Sequence, residues 1–256
     1  NGVVIGNFDV FKVFLAGIIA IIMLTYFFRK RSKHVFKDVV ISISGKVKEI
    51  RLLLDTGNLL REPYTGKPVM IVEKSALKNV IDENVSSADT FCDIFSGTAT
   101  VSRYFKQWYQ IYSNDILYFS YVLQKATIEN NIVPTFDTLK KVIKFDPIDY
   151  LNNVELPILE SLPKEKRFFQ NTYSPIGNRM YFNENNALRI DYARNKVQEW
   201  YDKQLIIDNE YYYLIACIVE GIPFISNISG TYGAYNKKWD NRSLKKYELF
   251  RLDVTQ

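Results

Sequence analysis

The spacing of hydrophobic residues changes several times along the chain, and each change predicts a different element. Residues 8–28 are apolar almost without interruption, and a basic cluster follows them. Residues 39–54 alternate between apolar and polar side chains around Gly45, which is typical of a β-hairpin. Residues 90–130 contain two successive patterns, each of a short apolar strand followed by a helix. In residues 183–204, apolar side chains recur at helical spacing.

The first apolar run has the length of a membrane-spanning helix. At about 1.5 Å per residue, residues 8–28 span roughly 30 Å, the thickness of the hydrocarbon core. The basic residues from Arg29 to Lys33 place the chain that follows in the cytoplasm. A buried helix of a soluble domain is the alternative. We therefore expect one transmembrane helix within residues 1–34 and a membrane-anchored protein whose bulk is cytoplasmic.

The second strand of the predicted hairpin delivers Asp55, Thr56 and Gly57 at its end. An aspartic protease needs two such carboxylates sharing a proton, with a glycine that permits close backbone approach. One copy in a chain implies a homodimer. The alternative is a hairpin that simply ends in an Asp-Thr-Gly turn.

The wider sequence around this turn carries a resemblance. The stretches NGVVIGNF and RLLLDTGNLLREPYTGKPVMIVEKSALK, with the apolar segment between them, resemble the sporulation sigma-E factor-processing peptidases. These are membrane-embedded bacterial aspartic proteases, and the resemblance covers residues 1–78. It implies that Asp55 is the catalytic aspartate of a homodimeric endopeptidase acting on a sigma-factor precursor. After Lys78 the resemblance stops.

Residues 80–145 predict half of a doubly wound nucleotide-binding fold. Asp115 lies 18 residues after Gly97, where such folds place the acid that binds ribose hydroxyls. An α/β fold that binds nothing there is the alternative. The predicted elements are a strand at Thr90–Phe95, a turn at Ser96–Ala99, a helix at Thr100–Trp108, a strand at Gln110–Ser113 and a helix at Ile116–Asn130.

Two stretches in this region, TFCDIFSGTATVSRYFK and YSNDILYFS, resemble motifs of Dam-like adenine-specific DNA methyltransferases. The stretches SPIGNRMYFNENNALRID, EYYYLIACIVE and NISGTYGAYNKKW extend the resemblance to about Arg251. The family binds S-adenosylmethionine, and Asp115 would take its ribose hydroxyls. Ala99 stands where the family has a second glycine, so its methyl group would crowd the cofactor or demand a φ that alanine tolerates poorly. The resemblance implies cofactor binding by Phe95, Ser96, Gly97, Thr98, Ala99 and Asp115.

The last third of the chain predicts a mainly helical region, and the resemblance implies that this region carries target recognition. Asn183 is expected to cap a helix running to about Gln204, and Asp208 to cap a second helix that ends near Gly221. A Gly-rich and then basic stretch with interleaved aromatic rings follows, which suits contact with double-stranded DNA. A solvated loop with aromatic anchors is the alternative. The candidate DNA contacts are Arg179, Tyr232, Tyr235, Lys237 and Lys238.

The catalytic motif of the methyltransferase class, Asp-Pro-Pro-Tyr, is missing, because no Pro-Pro occurs in the 256 residues. The stretch from Asp146 to Tyr150 is similar but lacks the second proline and precedes the recognition region, so we interpret it as unrelated. We expect a chain that binds S-adenosylmethionine and DNA but does not transfer a methyl group unaided.

Net charge and cysteine content add little to the choice between these functions. The net charge of +5 permits an anionic partner, and a lone histidine, His34, leaves no cluster for a metal site. Cys92 and Cys217 lie in apolar runs and are expected to be reduced core residues.

The sequence therefore predicts an α/β protein with a partial Rossmann-like S-adenosylmethionine-dependent methyltransferase sheet and a mainly helical recognition region. One transmembrane helix and a β-hairpin fragment of an aspartic protease precede them, with the join near Lys78 to Asn84. An endopeptidase and a fusion fragment without function are the alternatives. The predicted domains are 1–34 (membrane helix and basic flank), 35–79 (protease-like fragment), 80–145 (cofactor-binding half-domain) and 146–256 (target recognition).

Overall fold

A computed structural model describes residues 35–43, 46–54, 78–79, 81–83, 87–229 and 233–254. The chain divides into two compact units, Asn1–Ser86 and Ser87–Gln256. The predicted membrane helix at 8–28 and the Asp55–Gly57 turn lie outside the described residues. Among the residues that are described, no helix is both long and apolar enough to cross a bilayer.

The first unit contains an antiparallel hairpin of strands β1 (Val35–Ile43) and β2 (Lys46–Leu54). Val35 pairs with Leu54 at one end, and Ile43 pairs with Lys46 at the other. The alternating pattern favours this arrangement because successive side chains of a strand point to opposite faces. The predicted hairpin is confirmed, although both strands begin earlier than expected.

The second unit opens with a β–α–β arrangement. Strands β3 (Thr90–Asp93) and β4 (Gln110–Ser113) are parallel, and helix α1 (Thr100–Phe105) connects them. The ring of Phe91 on β3 stacks on Phe105 of α1, with ring centroids 4.5 Å apart. One face of the small sheet is thereby covered. The predicted order of strand, turn, helix and strand is confirmed, and with it the α/β class.

Helix α2 (Tyr118–Gln124) follows β4 and continues into a π-helical turn at Lys125–Glu129. The sequence predicts one helix from Ile116, and that start is wrong. The Asp115 carboxylate accepts a hydrogen bond from the Leu117 N–H at 2.9 Å, and Leu117 is held extended with φ −87° and ψ 130°. The helix therefore begins only after this turn.

The rest of the second unit is mainly helical. Its longest helices, α7 and α8, pack against each other, and α8 also packs against α2 and the π-helical turn. Trp200 and Tyr213 are among the largest side chains buried in this core. The helices are α3 (Asp137–Ile143), α4 (Pro147–Asn152), α5 (Leu156–Glu160), α6 (Phe168–Tyr173), α7 (Glu184–Asp202) and α8 (Asp208–Gly221), with short 3-10 turns at Lys164–Lys166, Pro175–Gly177 and Ile222–Phe224.

One of the two predicted helix caps is confirmed. The Asn183 side chain accepts a hydrogen bond from the Asn186 N–H at 2.8 Å and begins α7. Asp208 does not cap α8, because the residue before the helix is Ile207, whose N–H donates to Glu210 at 3.0 Å. Asp208 instead accepts from the Tyr201 hydroxyl at 2.6 Å.

A further cap comes from a distant residue. Asp191, buried within α7, accepts from the backbone N–H groups of Phe169 and Gln170, each at 2.8 Å. These contacts satisfy the first turn of α6. Burial raises the pKa of this carboxyl above its ordinary value, and the two N–H donors act in the opposite direction.

The expectation that both cysteines are core residues is wrong for Cys92. Cys217 is buried in α8, but Cys92 is exposed. Neighbouring residues of a strand point to opposite faces, so Cys92 points away from the face on which Phe91 meets α1. Tyr112, the partner of Cys92 on β4, is exposed as well.

We expect the two thiols to differ sharply in reactivity. Burial raises the pKa of Cys217 to about 12, so its thiolate is scarce at neutral pH, and its sulfur is inaccessible as well. Iodoacetamide followed by mass spectrometry should label Cys92 in the folded chain and Cys217 only after unfolding in guanidinium. Equal labelling of both thiols in the native chain would contradict this fold.

Candidate nucleotide-binding and DNA-binding sites

The candidate nucleotide site lies at the carboxyl ends of the two parallel strands. The Asn114 N–H donates to the Asp93 carbonyl at 2.8 Å, extending the pairing of β3 and β4 by one residue. The Ser96 N–H then donates to the Asn114 carbonyl at 3.0 Å. The loop after β3 and the loop after β4 are therefore held side by side. Ligands of open α/β sheets bind at this end of the strands.

Asp115 organises both loops. Its carboxylate accepts from the Gly97 N–H at 2.8 Å through one oxygen and from the Leu117 N–H at 2.9 Å through the other. The hydrogen bonds from Leu117 and Gly97 hold the pKa of Asp115 below its ordinary value, which keeps the group ionised at neutral pH. Each oxygen of an ionised carboxylate retains a further lone pair that can accept a hydrogen bond from a ligand.

A second set of hydrogen bonds, which was not predicted from the sequence, joins the loop after β3 to helix α2. The buried Gln124 side chain donates to the Ser96 hydroxyl at 2.6 Å and accepts from the Ser113 hydroxyl at 3.2 Å. The Ser96 hydroxyl donates in turn to the Asn114 carbonyl at 3.1 Å. Gln124 sits on α2, so this helix fixes the loop that follows β3. No local pattern in the sequence signals such a contact.

Two residues of the loop adopt left-handed backbone conformations. Gly97 has φ 50°, and no atom lies within 4 Å of the position that a Cβ would take there. Ala99 has φ 58° and is fully buried. Of the two expectations for Ala99, the unfavourable φ is therefore present, at a cost of about 1–2 kcal/mol. The buried methyl group does not project into the open space above the loop.

Apolar side chains and open space lie around this loop. Open space lies over Gly97, and the carboxylate of Asp115 is an acceptor for hydroxyl donors. Phe95 is 83% exposed and Ile116 is 96% exposed, so each offers an apolar surface beside the loop. Ser120 is fully buried, and its hydroxyl helps to lower the pKa of the Asp115 carboxyl. Phe95 is among the site residues predicted from the sequence, and Ile116 and Ser120 are not.

The candidate DNA contacts lie in the helical region. Arg179 is exposed and donates to the Thr172 carbonyl at 2.9 Å. Lys237 and Lys238 are exposed, and neither forms an ion pair within the described ranges. The Tyr235 ring meets the Tyr181 ring edge-on, with centroids 5.0 Å apart. Tyr232 lies outside the described residues.

Asn227 joins the two segments that carry these residues. Its N–H donates to the Tyr181 carbonyl at 2.8 Å, and its side-chain amide donates to the Met180 carbonyl at 2.9 Å and the Asn236 carbonyl at 3.0 Å. Asn227 is fully buried. It therefore places the segment after Arg179 beside the loop that carries Tyr235. The sequence offers no signal for this beyond an asparagine preceding a Gly-rich stretch.

Arg242 closes the same loop from its other end. One guanidinium nitrogen donates to the carbonyls of Ser226 and Ile228, both at 2.9 Å. Ile228 also forms an antiparallel bridge with Tyr235. This arginine belongs to the basic stretch in the sequence, but in the structure it binds backbone.

The stretch from Asp146 to Tyr150 has structural contacts. The Asp146 carboxylate accepts from the Ile148 N–H at 3.0 Å and caps α4. Arg251 donates to both Asp146 and Asp149 at 3.0 Å. These carboxylates stabilise the start of α4 and its contact with the chain near Arg251.

Comparison with known proteins assigns a family. Residues 73–256 match the model of the D12 class N6 adenine-specific DNA methyltransferases. This match covers most of the chain, so the chain belongs to that family. No solved structure matches it.

Individual relatives agree with the assignment. The type II methyltransferase M.FokI of Planomicrobium okeanokoites is 46% identical over 194 residues, which is 75% of this chain and 29% of that protein. The modification methylase StsI of Streptococcus sanguinis is 40% identical over 187 residues, which is 73% of this chain and 28% of that protein. The chain thus spans less than a third of the length of these relatives.

The N-terminal part is similar to a different family. Residues 1–103 match the model of the sporulation factor SpoIIGA. A probable sporulation sigma-E factor-processing peptidase of Clostridium acetobutylicum is 30% identical over 110 residues, which is 43% of this chain and 38% of that protein. The two family matches overlap over residues 73–103, which include the predicted join near Lys78 to Asn84. The two resemblances inferred from the sequence are both confirmed, although the match to the SpoIIGA family extends beyond Lys78 to residue 103.

We expect Asn227→Ala to free the loop that carries Tyr235. The substitution removes the side-chain hydrogen bonds from the buried Asn227 to the carbonyls of Met180 and Asn236 and should lower the free energy of unfolding by roughly 2–4 kcal/mol. Amide hydrogen exchange over residues 228–240 should accelerate more than exchange in α7. Asn241→Ala is the matched control, since Asn241 is exposed. Equal exchange in wild type and Asn227→Ala would rule out this role for Asn227.

Proposed function

We propose that this chain carries the cofactor-binding and target-recognition parts of a DNA N6-adenine methyltransferase. The observation that supports this most directly is the 2.8 Å hydrogen bond from Gly97 to Asp115 at the ends of two parallel strands. At this site, a glycine in the left-handed conformation and an ionised carboxylate lie beside open space, at the end of the sheet where nucleotides bind. Membership of the D12 class is the basis for proposing methylation of the adenine N6 amine as the reaction.

The cofactor that we propose is S-adenosylmethionine, held by Phe95, Ser96, Gly97, Thr98, Ala99 and Asp115. Asp115 would accept hydrogen bonds from the ribose hydroxyls through its remaining lone pairs. Ile116 and Phe95 would cover the apolar faces of the ligand. The bound cofactor would supply the methyl group. In this view, β3, α1, β4 and α2 form the partial Rossmann-like sheet domain predicted for residues 80–145.

The second proposed ligand is double-stranded DNA. Arg179, Tyr232, Tyr235, Lys237 and Lys238 are the proposed contacts, within a recognition region at residues 146–256. The lysine side chains are exposed and free of ion pairs in the described part of the chain, so they are available to phosphates. We expect no methyl transfer by this chain alone, because the Asp-Pro-Pro-Tyr sequence is absent from it.

Asp115→Ala should weaken S-adenosylmethionine binding at least about tenfold, since it removes a ligand acceptor and frees the Gly97 and Leu117 N–H groups. Isothermal titration calorimetry measures this directly. Asp89→Ala is the control, because Asp89 is an exposed carboxylate just before β3. Unchanged affinity in Asp115→Ala, or no binding by the wild-type chain, would overturn the proposed cofactor site.

Lys237→Ala combined with Lys238→Ala should weaken DNA binding to a similar degree for all sequences. Each lost phosphate contact should also reduce the slope of log K against log salt concentration by about 0.9. Fluorescence anisotropy with a labelled duplex at several salt concentrations measures both effects. Lys203→Ala is the control, since Lys203 is an exposed lysine paired with Glu199 on α7. An unchanged salt slope in the double variant would contradict the proposed DNA surface.

A second candidate function is supported by the match of residues 1–103 to the sporulation factor SpoIIGA and by strand β2, which ends directly before Asp55. In this proposal the chain is a homodimeric, membrane-anchored aspartic endopeptidase with Asp55 as its catalytic residue. Co-expression with a sigma-E precursor should then yield cleavage that Asp55→Asn abolishes. Absence of cleavage by the wild-type chain in membranes would reject this function.

A further inference from the structure

A cavity of about 570 Å³ lies at the start of helix α7, in the helical region. This volume is within the range of small-molecule sites. Two cationic side chains and an indole ring belong to its lining, those of Arg189, Lys246 and Trp239. The lining also contains one acidic side chain, that of the exposed Glu184. The cations therefore outnumber the acid in this cavity.

Arg189 carries a positive charge that the described part of the chain does not neutralise. Its guanidinium is half-buried and donates through Nη1 to the Val154 carbonyl at 3.0 Å. Burial lowers the pKa of Arg189, and the more distant Glu248 acts in the opposite direction. No carboxylate pairs with Arg189 within the described ranges. Its Nε and Nη2 remain as donors, and this edge of a guanidinium binds a phosphate through two parallel hydrogen bonds.

Asn227 fixes the segment that carries Trp239. The Asn236 N–H donates to the Asn227 carbonyl at 2.9 Å. The Asp240 N–H donates to the side-chain oxygen of Asn227 at 3.3 Å. The half-buried Trp239 therefore lies in a short turn that is held at both ends, directly after the two lysines proposed to contact DNA.

The segment that carries Lys246 is fixed to α7. The Asn183 side chain donates to the Ser243 carbonyl at 2.8 Å, and the buried Asn186 side chain donates to the Lys245 carbonyl at 2.7 Å. Lys246 follows directly, with its side chain exposed. The backbone around the cavity is thus fixed before a ligand arrives, which lowers the entropic cost of binding.

We propose that this cavity binds a phosphate of the DNA backbone, with Arg189 and Lys246 as its donors and Trp239 against the adjoining deoxyribose. Continuity along the chain favours this ligand, because Trp239 directly follows the exposed Lys237 and Lys238. A strand whose phosphates contact these lysines therefore passes beside the cavity. A neutral ligand would leave the guanidinium without a counter-charge. This inference rests on the proposed function and extends the DNA contact to helix α7.

The test uses the full chain and a labelled duplex, with fluorescence anisotropy measured at several salt concentrations. Arg189→Gln should weaken binding about tenfold for every duplex sequence and reduce the slope of log K against log salt concentration by about 0.9, since one phosphate contact is lost. Arg189→Lys should keep the salt slope and lose part of the affinity, because an ammonium cannot form the forked pair. Arg194→Gln is the matched control, since Arg194 is exposed on the same helix and its guanidinium lies over the Phe168 ring.

Two further variants keep the test independent of folding defects. Arg189→Gln also removes the hydrogen bond to Val154, so circular dichroism must first show that this variant is folded. Lys246→Gln alters an exposed side chain and should likewise weaken binding and lower the salt slope. Addition of the duplex should quench the tryptophan fluorescence of the wild-type chain, and Trp239→Phe should lose most of that change.

The outcomes separate this inference from the proposed function. Unchanged affinity and salt slope in both Arg189→Gln and Lys246→Gln would overturn the inference, and the proposed DNA surface would stand if the lysine double variant still binds more weakly. A loss confined to one DNA sequence would overturn the assignment of a phosphate. Quenching of Trp239 by deoxyadenosine monophosphate, at concentrations at which the duplex has no effect, would assign the cavity to a small phosphorylated ligand instead. Absence of DNA binding by the wild-type chain would overturn the proposed function itself.

Discussion

A single buried ammonium group holds three parts of the second unit together. Lys106 follows α1, and its side chain donates to the carbonyls of Thr127 and Asn130 at the end of the π-helical turn and to the carbonyl of Val254. No carboxylate pairs with it in the described ranges. Burial and the neighbouring Arg103 lower the pKa of Lys106, so the carbonyl oxygens must compensate for the lost hydration. Helix α1 and the π-helical turn after α2 are thereby fixed to the chain near Val254.

This contact matters because the small sheet has little support of its own. Two parallel strands cannot bury both of their faces, and parallel sheets are normally covered on both sides. The strands gain support from α1 through Phe91 and Phe105, and from α2 through Gln124 and Ser96. Lys106 then joins this layer to the chain around Asn130 and Val254. The shape of the candidate cofactor loop therefore depends on helices that do not belong to it.

In the helical region, side-chain donors likewise bind backbone carbonyls and fix the loop that carries Tyr235. Asn227 and Arg242 bind backbone carbonyls and so hold the loop with Tyr235 against the segment after Arg179. Neither residue needs a charged partner for this role, because the unpaired carbonyls of irregular backbone are themselves acceptors that must be satisfied.

Local sequence determined the elements with regular spacing. The strands of the hairpin, the strand and turn around Gly97, the second strand ending at Ser113 and the long helix capped by Asn183 were all predictable, because period and capping depend on neighbours in the chain. The link between Gly97 and Asp115 was predictable from spacing, since the carboxyl ends of parallel strands meet at one edge.

The tertiary structure decided what local patterns could not. The exposure of Cys92 and the contacts of Gln124 and Lys106 all depend on residues distant in sequence. A side chain's burial and partners follow from what packs against its face, and the sequence around it carries no record of that neighbour. By itself, the sequence determined the class of fold and the family, whereas only packing decided which polar groups stay exposed and which bind backbone.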